Sequence, residues 1–428
     1  NSDYVKLTIG EATVAGVLNP ENDFYFGFSN TDDVVDNAQT LSQHFSSEHP
    51  NIKTIYGGYG EGNKVANNKI TIGENTYTDS SDIIGGASFR SDTEVHHNSI
   101  LQQDDYFEEN LIGGLNQGAV YRPDAGGVHD NSVTLQLNES GSYSGAAGKK
   151  IAGGIGANVN VNNNHVYFKG SGWYRPDVYG GYAINSDAVE NSVEITKQYK
   201  DNGVSPHEMK LYGAVYGGYS KHGNAMSNTI NVDTWKSDTL LGNTYGGYSV
   251  NGDAIHNKVI LCGNTGENAS LFGGFSQQGN AIGNTIKMTG VSSVHNQTFD
   301  RLLAEDNVVG GESQSNFGTV SDNTIELKNT TVYGYVAGGR NMDQSTNRRI
   351  GSVHDNTVNL SSTCLVNGDV VGGEAQSVPV YSNNVIIFAD GSDHYFDGHD
   401  VYGGKAVSSN VENNVVSAAL GRFGTLYG

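Results

Sequence analysis

The stretch 215–230, V-Y-G-G-Y-S-K-H-G-N-A-M-S-N-T-I, returns as T-Y-G-G-Y-S from Thr244 and as L-F-G-G-F-S from Leu271. Each copy has two landmarks. One is a Gly-Gly pair in an apolar context, and the other is an Asn followed two positions later by Ile or Val. In these three copies Asn228, Asn257 and Asn284 stand 10 positions after the second Gly. Pairs of the same kind begin at Gly57, Gly85, Gly113, Gly153, Gly180, Gly217, Gly246, Gly273, Gly310, Gly338, Gly372 and Gly403. The matching Asn are Asn68, Asn98, Asn131, Asn164, Asn191, Asn228, Asn257, Asn284, Asn323, Asn356, Asn384 and Asn414. The pairs are spaced 27 to 40 residues apart. A unit of that length cannot bury its own apolar face, so it must stack on its neighbours.

The period inside a repeat names the element. Two positions before the first Gly stand Ile55, Ile83, Leu111, Ile151, Val178, Val215, Thr244, Leu271, Val308, Val336, Val370 and Val401, all but one apolar. After the landmark Asn, position +2 is Ile or Val, +4 is usually apolar, and +1 is mostly Ser, Thr or Lys. Apolar and polar residues alternating with period two make a strand with one buried face. No window shows a helical period. The economical closure is one repeat per coil, which predicts an all-β fold. It is a parallel β-helix of about 13 coils, counting 24–41 as a decayed first copy in which Gly27 precedes Asn37. In it the Asn stack as a ladder, represented by Asn228, Asn257 and Asn284. The glycine pairs, such as Gly217-Gly218 and Gly246-Gly247, form a turn or bulge that a side chain would block. The expected division is a cap and degenerate coil over 1–50, then coils over 51–428. The last residues, L-Y-G, read either as a further copy cut short or as a natural end.

Composition agrees with strands and turns. The chain has 58 Gly, 48 Asn and only 6 Pro in 428 residues. Its net charge of −22 makes nucleic acid an unsuited partner. No apolar run is long enough for a membrane-spanning helix. Cys262 and Cys364 are three repeats apart, too far for a disulfide, and read as small buried apolar residues.

The repeated Y-G-G-Y-S…G-N-A…N-T-I units over 24–428 resemble the passenger repeats of large Gram-negative autotransporter adhesins of the type V secretion class. The resemblance implies a right-handed β-helix at the cell surface, with a membrane barrel in a C-terminal part not contained in this chain. It also implies attachment to a host-cell receptor or glycan, or self-association between cells. No binding residue carries over from it. The alternatives are a stalk that presents a distal binding domain, and a β-helix enzyme that cleaves polysaccharides.

Little in the sequence supports catalysis. The acidic pairs Asp32-Asp33, Asp104-Asp105 and Glu108-Glu109 do not recur at one position on adjacent coils. V-H-D-N occurs at His129 and at His354, seven repeats apart, which suits a turn better than a shared site. No Cys/His metal spacing appears, and no cofactor is expected. The acidic loop 390–400 can offer oxygen ligands to Ca²⁺ only weakly, without a dedicated loop pattern.

Binding is expected on inserted loops at 137–150, 196–214 and 289–307. They carry Lys149, Lys150, Lys197, Lys200, His207, Lys210 and Arg301 on an otherwise acidic chain, so an acidic ligand would be drawn there. Tyr-Arg-Pro-Asp occurs twice, with Tyr121-Arg122 and Tyr174-Arg175, either as a turn or as contact residues. Tyr182, Tyr219, Tyr248 and Phe275 recur at one position, and parity from Val178, Val215 and Leu271 puts them on the inner face.

Overall fold

The fold was obtained as a computed structural model. It describes the chain except residues 1–2, 10–11, 19–22, 42–51, 74–80, 104–106, 108–109, 123–126, 137–142, 145, 171, 197–208, 266–268, 291–301, 305–306, 344–349, 362–363, 389–398 and 420–423. The described residues contain strands and no helix, wound as a parallel β-solenoid. They divide into two compact units, Asn1–Ala214 and Val215–Gly428.

Each repeat contributes three strands. In the repeat opening the second unit these are a glycine strand, Val215–Ser220, a short strand, Ala225–Met226, and an asparagine strand, Thr229–Leu240. Each pairs in parallel with its counterpart one repeat later, so Val215 faces Thr244, Ala225 faces Ala254 and Thr229 faces Lys258. The first unit repeats the plan, with Ile55 opposite Ile83, Val65 opposite Val95 and Ile70 opposite Ile100. It opens with an antiparallel hairpin, Asp3–Ile9 with Ala12–Leu18, whose second strand pairs antiparallel with Asp23–Tyr25. The solenoid has about 10 turns, fewer than the 13 coils counted from landmarks. The landmark count includes the last copy in full, although it keeps its strands with only part of their burial. In the last copy Val411 is 41% exposed, although Val380, its partner on the preceding coil, is fully buried.

The landmark Asn side chains line the interior. Asn68, Asn98, Asn131, Asn164 and Asn191 of the first unit are buried. So are Asn228, Asn257, Asn284, Asn323, Asn356, Asn383 and Asn414 of the second. Asn257 shows the pattern. Its Nδ2 donates to Asn284 Oδ1 at 3.0 Å and to the Ala225 carbonyl at 2.8 Å. Its Oδ1 accepts from both Nδ2 and the backbone N–H of Asn228, at 2.9 and 3.0 Å. Every polar atom of the amide is thereby satisfied in a place water does not reach. The ladder reaches Asn37 in the decayed copy, whose Nδ2 donates to Asn68 Oδ1 at 2.6 Å. In the repeat ending 383–388 the landmark is Asn383. Asn384, assigned by the sequence, begins strand Asn384–Phe388 and is only half-buried. Two adjacent Asn, each with Val or Ile two positions on, made the register ambiguous.

The residue before each ladder Asn is left-handed. Among the described residues thirteen non-glycine residues have positive φ, and twelve of them, among them His97, Asp130, Ser227 and Asp355, occupy this position with φ of 53 to 55° in these four. Asn, Asp, Ser and His supply most cases, small or polar side chains that tolerate this conformation best after Gly. The turn into the asparagine strand therefore does not use the glycine pair.

The pair lies inside a strand, not at a turn. The pairing register steps from Tyr216–Tyr245 to Gly218–Gly247 and skips Gly217. A Cβ on Gly217 would collide with the Gly246 carbonyl, and one on Gly218 with the Asn228 carboxamide. One glycine lets neighbouring backbones approach, and the other leaves room for the ladder. The skipped residue also shifts the strand's phase. Val215, Gly218 and Ser220 face inward, whereas Tyr216 and Tyr219 face out and are half-buried. The inner placement inferred for Tyr182, Tyr219, Tyr248 and Phe275 is therefore wrong, because parity does not survive the extra residue.

In the first four glycine strands of the second unit the closing residue is a serine, and these serines bond the turns that follow. Ser249 Oγ donates to the Gly223 carbonyl and accepts the Gly252 N–H, both at 2.8 Å, and Ser276 repeats this toward Gly252 and Gly279. Insertions carry short strands of their own. Leu302–Ala304, Thr330–Val332 and Leu365–Val366 form a small sheet in the second unit.

Both cysteines are free. Cys364 is buried, but Cys262 follows the inward Leu261 and points outward, half-buried, which corrects its reading as a core residue. Burial raises the Cys262 thiol pKa, with Asp233 adding to the rise. In native protein, Cys262 should therefore react slowly with a maleimide and Cys364 not at all; in denaturant both should react. Mass spectrometry reads the labels, and equal native reactivity would contradict the placement.

The ladder makes a quantitative prediction. Asn257→Leu leaves two buried donors of Asn228 without an acceptor, at about 1–3 kcal/mol each, while Lys258→Leu changes an exposed position at about 0.5 kcal/mol or less. Gly247→Ala should be destabilising too, but much less so in an Asn257→Ala background, where the colliding carboxamide is gone. Urea unfolding of the double-mutant cycle measures this, and additive costs would exclude the contact.

Candidate functional site

The phase shift gives each glycine strand two outward positions, just before the pair and two after its first glycine. In the second unit the first three levels fill both with rings. Tyr216, Tyr245 and Phe272 stack at 5.1 and 4.9 Å, and Tyr219, Tyr248 and Phe275 at 5.1 and 4.8 Å. Within a level the two rings are near perpendicular, 86° for Tyr216–Tyr219 and 83° for Phe272–Phe275. This is a herringbone in which neighbouring rings cover most ring faces. Burial raises the Tyr245 phenol to about 12. The first unit has a similar cluster, with Tyr25 on Tyr56 at 4.8 Å and Phe28 on Tyr59 at 5.5 Å.

Beyond Phe275 the same outward position becomes charged. The register runs Phe275, Glu312, Arg340, Glu374, Lys405 on successive levels. Arg340 lies between two carboxylates, with Nη1 3.6 Å from Glu312 and Nε 3.2 Å from Glu374. The Nε–H is buried and not aligned for a hydrogen bond, so its pairing with Glu374 is electrostatic. The guanidinium also lies 4.8 Å over the Tyr335 ring and donates to its hydroxyl. Burial raises the pKa of Glu312, which is only 5% exposed, and Arg340 opposes that rise. The Tyr335 phenol is raised by burial as well.

Next to this row is a recess of about 350 Å³, lined by Tyr335, Arg340, Asp369, Val371, Glu374, His399 and Lys405 with Gly368. Lys405 Nζ is 3.1 Å from Asp369 and 4.7 Å from the Tyr402 ring centre. His399 Nδ1 lies 3.9 Å from the other Asp369 oxygen. Its lining thus offers matched charges, lone pairs and N–H groups together with apolar atoms of Val371 and Tyr335.

The sequence-predicted binding residues fall elsewhere. Lys197, Lys200, His207 and Arg301 lie outside the described residues. Lys149 is half-buried, and Lys150 opens a glycine strand, its backbone N–H donating to Asn110 Oδ1 at 2.7 Å. Lys210 Nζ lies 5.2 Å over the Trp173 ring. The two Tyr-Arg-Pro-Asp copies differ. Tyr121 is 55% exposed with Arg122 exposed beside it, whereas Tyr174 is buried against Phe168 and only Arg175 reaches the surface. Tyr174 is therefore a packing residue and not a contact. In the V-H-D-N copies each His contacts the next Asp at 2.7 Å, and each Asp is the left-handed residue before the ladder Asn. Of the acidic loop 390–400, only His399 and Asp400 are described. Among the described residues no three His, Cys, Asp or Glu converge for a metal ion, and no helix is long and apolar enough to cross a membrane.

Sequence reasoning missed Glu312, Arg340, Glu374 and Lys405. The signal was present, since four charged residues in a position read as inward contradict that reading.

Glu312 has a pH signature. Its carboxyl holds a proton in the folded state at pH values where the unfolded chain has lost it, so it contributes stability below the ordinary Glu pKa. That contribution is lost as pH rises through the raised folded value. Relative to Glu312→Gln, the wild type should lose stability over that window, as urea unfolding at several pH values would show. Parallel curves would mean that the carboxyl titrates normally.

Comparison of the chain with protein-family models, with curated proteins and with solved structures finds no match.

Proposed function

We propose that the chain is a non-enzymatic binding segment displayed on a cell surface. It serves attachment to host cells or glycans, or holds bacterial cells together. The observation that supports this most is the outer face of the second unit's glycine strands. There an aromatic herringbone continues, level by level, into a paired-charge row beside a recess. Rigid strands carry this face, so little order is lost when a partner binds. The repeat's resemblance to autotransporter passengers supplies the rest of the reading, including right-handed winding, a Gram-negative cell surface and a membrane barrel elsewhere in the protein.

A second reading also has support. The buried ladder inside each unit suits a stalk whose task is to hold another domain at a distance. Adding the purified chain to cultured epithelial cells, and displaying it on bacteria, separates the two. The binding segment should adhere saturably or clump the bacteria. A stalk should do neither, and that outcome would replace the first reading with the second.

A further inference from the structure

We infer that the recess between Tyr335 and Lys405 binds a neutral, hydroxyl-rich sugar ring of a glycan. This names ligand and place for the attachment function proposed above and rests on that reading. Charge is the first argument. Arg340 lies within ion-pair distance of Glu312 and Glu374, and Lys405 within that of Asp369. The cations are already matched, so an anionic ligand would have to compete with fixed carboxylates, and a cationic one with fixed cations.

Polar capacity is the second argument. A carboxylate accepts at about four sites and an ammonium donates three bonds. Asp369, Glu374 and Lys405 thus keep capacity beyond their ion pairs, in positions that vicinal hydroxyls can bridge. The third is shape. Val371 and Tyr335 add apolar atoms to the lining, and about 350 Å³ lies at the small end of ligand pockets. A pyranose combines these requirements, with an apolar C–H face and a rim of hydroxyls. The rings of the herringbone next to Glu312 already pack on one another, so stacking of sugars along it is not part of the inference.

The test uses the whole chain. An array of neutral hexose and N-acetylhexosamine oligosaccharides, with sulfated and uronic-acid oligosaccharides alongside, identifies a binder for calorimetric titration. Neutral sugars should bind, with affinity changing less than about twofold between 50 and 500 mM NaCl, because no charges are newly paired. Lys405→Ala and Asp369→Asn alter partly exposed side chains. Each should weaken binding tenfold or more with the urea midpoint unchanged. Lys287→Ala, at an exposed pair with Glu326 on the asparagine strands, should leave binding intact. Should either variant lose its fold, amide-exchange protection of strand Val370–Ala375 by the sugar in wild-type protein carries the test.

No neutral sugar bound, binding unaffected by both substitutions, or preference for sulfated glycans with strong salt dependence would each overturn the inference. Cell attachment that persists in both variants would remove this recess but keep the attachment function. Sugar binding without any cell attachment or clumping would keep the recess and remove that function.

Discussion

The asparagine ladder is the constraint on which the rest depends. A buried primary amide is costly unless all of its donors and acceptors are used. In a stack of identical coils the same amide on the next level supplies the missing partners. Here each Oδ1 takes two donors from the Asn below, and each Nδ2 bridges the next amide and a short-strand carbonyl, as at Asn323 and Asn356. The arrangement works only if every coil keeps its Asn in register. That explains why loops of different length leave the landmarks unaffected, with Asn284 and Asn323 bonded at 2.9 Å although 39 residues separate them.

From the ladder follow the other invariants of the repeat. The amides need space on the facing strand, and a glycine supplies it, as Gly311 does for Asn323. The chain must turn sharply before the Asn, and a left-handed residue supplies that, as Asp322 does at φ 57°. The core around the ladder is otherwise apolar, with Ile325 and Leu327 on one strand and Val308 on another, all essentially buried. The first link from sequence to fold is thus a hydrogen-bonding requirement, and hydrophobic burial completes it.

This explains what could be read in advance. Strand type, parallel coil and stacked Asn were legible, because period two and a recurring landmark are local properties of the sequence. The glycine pair was legible as a steric necessity but not in its effect, since a skipped residue inside a strand inverts the alternation on which parity depends. Tyr219 and Arg340 occupy the same repeat position, and both were lost to view for that reason. Asn383 was misread for a different one, an adjacent Asn384 that satisfied the same rule. The basic loops attracted attention through charge, a property of composition. The recess depends on Asp369 and Glu374 of one level meeting Arg340 from the level before and Lys405 from the level after, and no single repeat contains that pattern.

The outer face is a consequence of the inner one. Because the first glycine of each pair drops out of the register, the residues just before the pair and just after it both point away from the core. Each level therefore presents two adjacent outward side chains, aligned with those above and below at the strand spacing of about 4.8 Å. Such a lattice can be varied one residue at a time without touching the ladder. Aromatic pairs give a self-covering herringbone, as at Tyr245 and Tyr248. Alternating charges give a row of equal positive and negative groups, as from Glu312 through Arg340 and Glu374 to Lys405. At Val371 and Glu374 a small apolar residue stands beside a charged one, and the surface is recessed there. A fold that fixes its interior so strictly leaves the variation between levels to this pair of columns.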